Sequence, residues 1–184
     1  MRRLLGDRRQ HRVEDVLEAA VEGFGWEGAT SSESGRGVGL ACGREKGGFV
    51  ASVAEVAVDP ASGDVAVVRA VTAFECGAIV NPMHLRNQVE GAVVQGMGGA
   101  LFERIRFEDG RILSNRFSRY RVPRTMDLPK LKIVLLDRPD LPPSGAGETP
   151  IVAIAPAIGN AIFAATGVRL RSMPMVPDGL KAGG

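Results

Sequence analysis

Residues 142–157 read PPSGAGETPIVAIAPA and set one carboxylate, Glu148, among glycines and prolines ahead of a strong helix signal. Gly145 and Gly147 let the backbone turn tightly and approach another group closely. Pro150 and Pro156 stiffen the segment beyond that turn, and Pro156 suits a first helical position, where its missing N–H is not needed. Ile158, Ala161, Ile162 and Ala165 then share one face, and Gly167 ends the pattern. Arg169 and Arg171 beyond it suit the negative end of a helix. A lone glutamate at such a turn is either a surface loop residue or a positioned base. Local composition leaves both readings open.

Upstream, the chain supplies strands and two further helices. Val13, Val16, Leu17, Ala20, Val21 and Phe24 recur at helical spacing, Gly25 stops the run, and Trp26 packs the helix end. The preceding arm, with Arg2, Arg3, Arg8, Arg9 and Arg12, reads as a solvated approach to that helix. Residues 29–37 are small and polar and read as an exposed loop. Gly35-Arg36-Gly37-Val38-Gly39 fails as a nucleotide fingerprint, because the glycine spacing ends on Cys42 and no strand precedes it. Phe49–Val58 and Val65–Phe74 form a hairpin, with Glu55 as an edge or solvent-facing carboxylate. A second hairpin is centred on Asp109-Gly110. Lys130–Leu136 is a further strand.

Between the hairpins, Asn81 caps and Pro82 opens a helix whose inner face is Val89, Ala92, Val93, Gly96, Met97, Ala100 and Leu101. Gly91, Gly96, Gly98 and Gly99 each cost that helix roughly 1 kcal/mol relative to alanine, which fits a helix approached closely by another backbone or a ligand. Gln88 and Gln95 lie near one side of it. There they either hydrogen-bond a polar cofactor or cap neighbouring structure. Short hairpins interleaved with about three helices make an α+β lobe over residues 1–176, with 177–184 a disordered tail.

Composition excludes several classes. The 184 residues suit one domain or one lobe of something larger. A net charge of +2 and 5% aromatic residues argue against a nucleic-acid surface. Cys42 and Cys76 are the only cysteines, so neither a disulfide framework nor a metal-ligand cluster is indicated. No apolar run reads as a membrane span, and Gly6-Asp7-Arg8-Arg9 stands where a twin-arginine export signal would need its hydrophobic segment.

The block order GGFVASVAEVAVD, ECGAIVNP, QVEGAVVQGMGGALFE, SGAGETP and PAIGNAIFAATGVRLRSMP resembles the C-terminal end of the large subunit of molybdenum hydroxylases. That is the xanthine dehydrogenase and aldehyde oxidase family, in its isoquinoline 1-oxidoreductase and membrane-associated aldehyde dehydrogenase branch. The resemblance implies a C-terminal lobe of a molybdopterin-binding domain, with Glu148 as catalytic base and Gln88 and Gly147 against the molybdenum–molybdopterin cofactor, its cytosine dinucleotide form included. No residue of this chain is expected to ligate the metal. In that family molybdenum eases deprotonation of an oxygen that attacks an aldehyde or N-heterocycle, and electrons leave to 2Fe-2S clusters on a partner chain. The implied partners are the upstream part of the large subunit and an iron–sulfur small subunit. The implied compartment is the cytoplasm, or the periplasm if a partner carries the chain there. Two departures stand out: Thr149 where the family has proline, which loosens the loop, and Glu75 where relatives carry aspartate. Partial burial would raise the pKa of Glu148 toward the operating pH, which favours a base. The other reading is a non-catalytic fragment or interaction module that needs a companion chain. If the rest of the subunit is absent, apolar surface is expected to be exposed around the glycine-rich helix.

Overall fold

The computed structural model describes residues 2–26, 35–176 and 180, with the side chains of 2–10 left aside. The expected tail and most of the expected 29–37 loop lie outside the described residues. Helix α1 (Arg2–Phe24) is followed by strands β1 (Arg36–Glu45), β2 (Gly48–Val58) and β3 (Val65–Glu75). Helix α2 (Pro82–Leu101), the short hairpin β4 (Phe107–Glu108) and β5 (Arg111–Ile112), strand β6 (Lys130–Leu136) and helix α3 (Ile154–Thr166) complete the chain. The main sheet has the order β1-β2-β3-β6. Its first three strands are antiparallel and β6 runs parallel to β3. The α+β expectation holds.

Three layers result. On one face Val16, Ala20 and Phe24 of α1 pack against Phe49, Ala51, Val53, Val71 and Ala73. On the other, α2 and α3 cover Val50, Ala54, Val56, Ala70 and Phe74. This is the period-two alternation of a sheet buried on both sides. Helix α1 starts at Arg2, well before the apolar repeat at Val13, in a stretch whose arginine, leucine and glutamine favour helix. Its end is held by two cations that suit the carbonyl terminus: Arg69 donates to the Phe24 carbonyl at 3.1 Å and Lys132 to that of Gly23 at 3.1 Å.

Strand β1 corrects the sequence reading, which leaves this stretch without a strand. Glycine weakens strands, so propensity hides it. The glycines nevertheless alternate: a Cβ on Gly37 would lie 2.1 Å from the Ala161 carbonyl oxygen, and one on Gly39 2.2 Å from that of Ala157. Helix α3 rests on bare strand backbone, and Asn160 donates to the Leu40 carbonyl at 2.9 Å. Pro156 also sits later than expected, in the third position of α3, after the 3₁₀ turn Thr149–Ile151. The first bond of the helix runs from the Ala157 amide to the carbonyl of its N-cap residue, Ala153.

Other local expectations hold as geometry. Asn81 caps α2 by accepting from the His84 amide, with Pro82 following. Gly167 ends α3 with φ 73°. Of the α2 glycines, Gly96 faces Ile151 and Ile154, and Gly98 faces Glu103 and Pro123, whereas Gly91 and Gly99 face open space. Glu55 is not solvent-facing: its side chain is mostly buried and takes Arg36 at 2.8 Å and Arg69 at 2.6 Å. Burial pushes its carboxyl up, and the hydrogen bonds from Arg69 and Arg36 outweigh that, leaving it below the ordinary value.

The segment Thr149–Thr166 is, by length and composition, apolar enough to cross a membrane, contrary to the sequence expectation. Its helix α3 has only 13 residues, about 20 Å against a hydrocarbon core of about 30 Å. Ile154, Ala157, Ile158, Ala161 and Ile162 bury one face in the core. It is the inner helix of a packed lobe.

The densest polar contact joins α1 to the end of β3. Glu75 has 0% exposure. It receives the Nε and Nη2 of Arg12, the latter at 2.9 Å, and the Gly77 amide. Arg12 also donates to the Gly47 carbonyl at 3.0 Å and lies 4.3 Å from the centre of the Phe49 ring. Arg12→Met removes one partner of a buried pair, so the chain should lose about 3–5 kcal/mol in urea unfolding. Gly39→Ala should cost at least the roughly 1–3 kcal/mol typical of overpacking, read as a lower melting temperature.

Candidate functional site

Two loops at the ends of β3 and β6 meet the start of α2. Ser144 binds the Cys76 carbonyl through its amide at 2.8 Å and its hydroxyl at 3.1 Å. Ala78 donates to the Leu141 carbonyl at 3.1 Å. Gly77 has φ 81°, and a Cβ there would fall 2.2 Å from the Pro142 carbonyl oxygen, so this crossing needs glycine. Between the loops and α2 lies an open cleft of about 420 Å³, edged by Ile79, His84, Gln88, Pro143, Gly145 and Gly147. Its lining is mostly apolar, with a few polar groups, as small-molecule sites are. Cys76 lies at its floor, where burial above all, and then the charges of Glu75 and Asp137, push the thiol up. It is therefore a poor nucleophile.

Gln88 is exposed on α2, and its Nε2 donates to the Gly147 carbonyl at 2.7 Å. The amide thus touches the residue immediately before Glu148. Gly145 adopts φ 77°, and a Cβ on Gly145 or Gly147 would meet nothing within 4 Å. The structure therefore brings Gln88 and Gly147 together on the cleft and places Glu148 next in the chain.

Glu148 itself turns the other way. It is not among the residues lining the cleft, and its carboxylate pairs with Lys46 in the β1–β2 turn. Its side chain keeps 54% of its exposure. The hydrogen bond and charge of Lys46 hold its carboxyl below the ordinary value, against a smaller opposing effect of burial. This corrects the expectation that burial would raise it: little is buried here, and the nearest charge is a cation. Lys46 is raised reciprocally.

Thr149 also departs from expectation. It is buried, and its hydroxyl donates to the Glu45 carbonyl at 3.0 Å, tying the loop to the β1–β2 turn. The rigidity a proline would give is supplied by a hydrogen bond. Sequence reasoning missed Lys46 and Glu45 as neighbours of this loop, and Arg12 as the residue that holds their turn. Only Glu45-Lys46-Gly47-Gly48, a two-residue hairpin turn once β1 is recognised, carried a signal. Among the described residues no three His, Cys, Asp or Glu side chains gather to hold a metal ion. Thr149→Val keeps the shape and removes the hydroxyl, and should cost about 1 kcal/mol in chemical unfolding.

Residues 43–129 match the family of molybdopterin cofactor-binding domains. Over 139 residues the chain is 36% identical to the aldehyde oxidoreductase molybdenum-binding subunit PaoC of Escherichia coli, covering 72% of this chain and 19% of that protein. It is 31% identical over 164 residues to the beta subunit of isoquinoline 1-oxidoreductase from Brevundimonas diminuta, covering 88% of this chain and 21% of that one. Among solved structures, the aldehyde oxidoreductase of Desulfovibrio gigas superposes with a TM-score of 0.63 at 36% identity, over 71% of this chain and 15% of the other. The chain thus spans about a fifth of the length of the curated relatives it matches here.

Proposed function

We propose, from the premise that this chain belongs to the molybdopterin cofactor-binding family of molybdenum oxidoreductases and spans one part of their molybdenum-binding subunit, that it forms one wall of the active site. The reaction is hydroxylation of an aldehyde or an N-heterocycle, with Glu148 as proton acceptor. The observation that carries this reading is the bond from Gln88 Nε2 to the Gly147 carbonyl, which fixes the residue before Glu148 at the rim of an open cleft.

The residues suit a flat, polar heterocycle such as a pterin. Gln88 gives one N–H to Gly147, and an amide still has a second N–H and a carbonyl oxygen to offer. Beside it, Gly145 and Gly147 present backbone with no side chain in the way. Gln88 and the Gly147 backbone would hold the cofactor's edge. When bound, the molybdenum cofactor supplies the activated oxygen and the electron sink of such hydroxylations.

This chain's own part is orientation and proton transfer. The Thr149 hydroxyl and the Gln88 amide pin Glu148 from both sides of its peptide. As a carboxylate it is ionised at neutral pH, the state a proton acceptor requires. The remaining walls, including those that select substrate, belong to the rest of the subunit, in the same or a companion chain. An iron–sulfur partner carrying 2Fe-2S clusters would supply the electron acceptor.

The test uses this chain assembled with the remainder of a molybdenum-binding subunit. Glu148→Gln should abolish turnover and leave molybdenum and pterin content unchanged, while Gln88→Ala should lower pterin content. Turnover of Glu148→Gln within a few-fold of the parent rejects the assignment.

A further inference from the structure

The chain contains the same two-residue hairpin turn twice. In β4–β5 the central residues are Asp109 and Gly110, with φ 47° and 75°. In β1–β2 they are Lys46 and Gly47, with φ 46° and 89°. Positive φ at both centres marks the type I′ turn, whose first position prefers Asn, Asp or Gly. Asp109 obeys that preference and Lys46 does not. A long side chain meets a steric penalty in the left-handed region that asparagine largely avoids.

What Lys46 gains there is reach. The turn is fixed by Arg12 on the Gly47 carbonyl and by Thr149 on the Glu45 carbonyl. From that position its ammonium meets the Glu148 carboxylate. The ionisable groups acting on Glu148 are Lys46 and, secondarily, Glu45 of the same turn. Gln88 of α2 reaches this loop through the Gly147 carbonyl.

We propose that Lys46 is a positioning residue for Glu148, holding its carboxylate against the β1–β2 turn and away from the cleft. This deepens the assignment of Glu148 as the base and matters for chemistry only on that reading. It explains why a lysine occupies a turn position that asparagine fills at lower strain. It also sets the strength of the base: paired, Glu148 holds its proton weakly, and released, more tightly.

The test follows the Glu148 carboxyl carbon by NMR titration in this chain, with labelled glutamate, and compares Lys46→Asn and Lys46→Arg. Lys46→Asn should shift the Glu148 midpoint to higher pH and melt no lower than the parent, since asparagine accepts the left-handed turn. Lys46→Arg should keep the midpoint low. An unmoved midpoint in Lys46→Asn, a loss of thermal stability in that variant, or a Lys46→Arg midpoint that rises with it overturns the proposal. The two assignments fail separately. Active Glu148→Gln enzyme with a shifting midpoint refutes only the base, and inactive Glu148→Gln enzyme with a fixed midpoint refutes only the lysine.

Discussion

Glu75 ends the central strand β3 with its carboxylate wholly out of water, and an unpaired charge there would cost several kcal/mol. Arg12 meets it from a helix 63 positions away in sequence. The pair then organises the loops beyond it. One carboxylate oxygen also takes the Gly77 amide, which starts the loop flooring the cleft. The same guanidinium holds the Gly47 carbonyl, and with it the turn that carries Lys46. Helix α1, the sheet and both edges of the site are thereby joined at one salt bridge. The glutamate side chain is long enough to reach the helix and its own loop together.

Much of the fold is legible because short-range rules decide it. Asn81-Pro82, Gly25, Gly167 and Asp109-Gly110 are local devices, and each acts where the sequence places it. Strand β1 is hidden for the opposite reason. Its glycines are poor strand formers, and their purpose emerges only when α3, far along the chain, lies on them. Arg12 is illegible in a similar way. Nothing local separates it from the other arginines of the arm, and only the folded position of Glu75 selects it.

The site divides along the same line. Gln88, Gly147 and Glu148 are readable from the residues and their block order, and the structure brings the first two into contact beside the third. The direction of Glu148's carboxylate is not readable, since its partner sits across a turn whose first strand propensity conceals. Loop stiffness cannot be judged from the missing proline alone, because the Thr149 hydroxyl supplies it through a distant carbonyl. Exposed apolar surface is expected around α2, yet α2 buries its inner face, and the exposed large apolar side chains there are Val80 just before it and Met83 in its first turn. The larger exposure lies on the segment after α2, where Phe107, Ile112, Phe117 and Met126 point outward, Phe117 at 100%.

On the proposed reading of Glu148 as proton acceptor, its surroundings bear on how strong a base it would be. In this lobe the carboxylate is solvated and paired, so its proton affinity is low. A surface laid over the loop would remove water from Glu148 and Lys46 together. Desolvation alone would raise a carboxyl, but it also strengthens a charge pair whose partner stays in place. Covering the site therefore makes a better base only if Lys46 is drawn off or its charge is shared. What sets Glu148's proton affinity is thus the competition for one ammonium group, more than the depth at which the glutamate is buried.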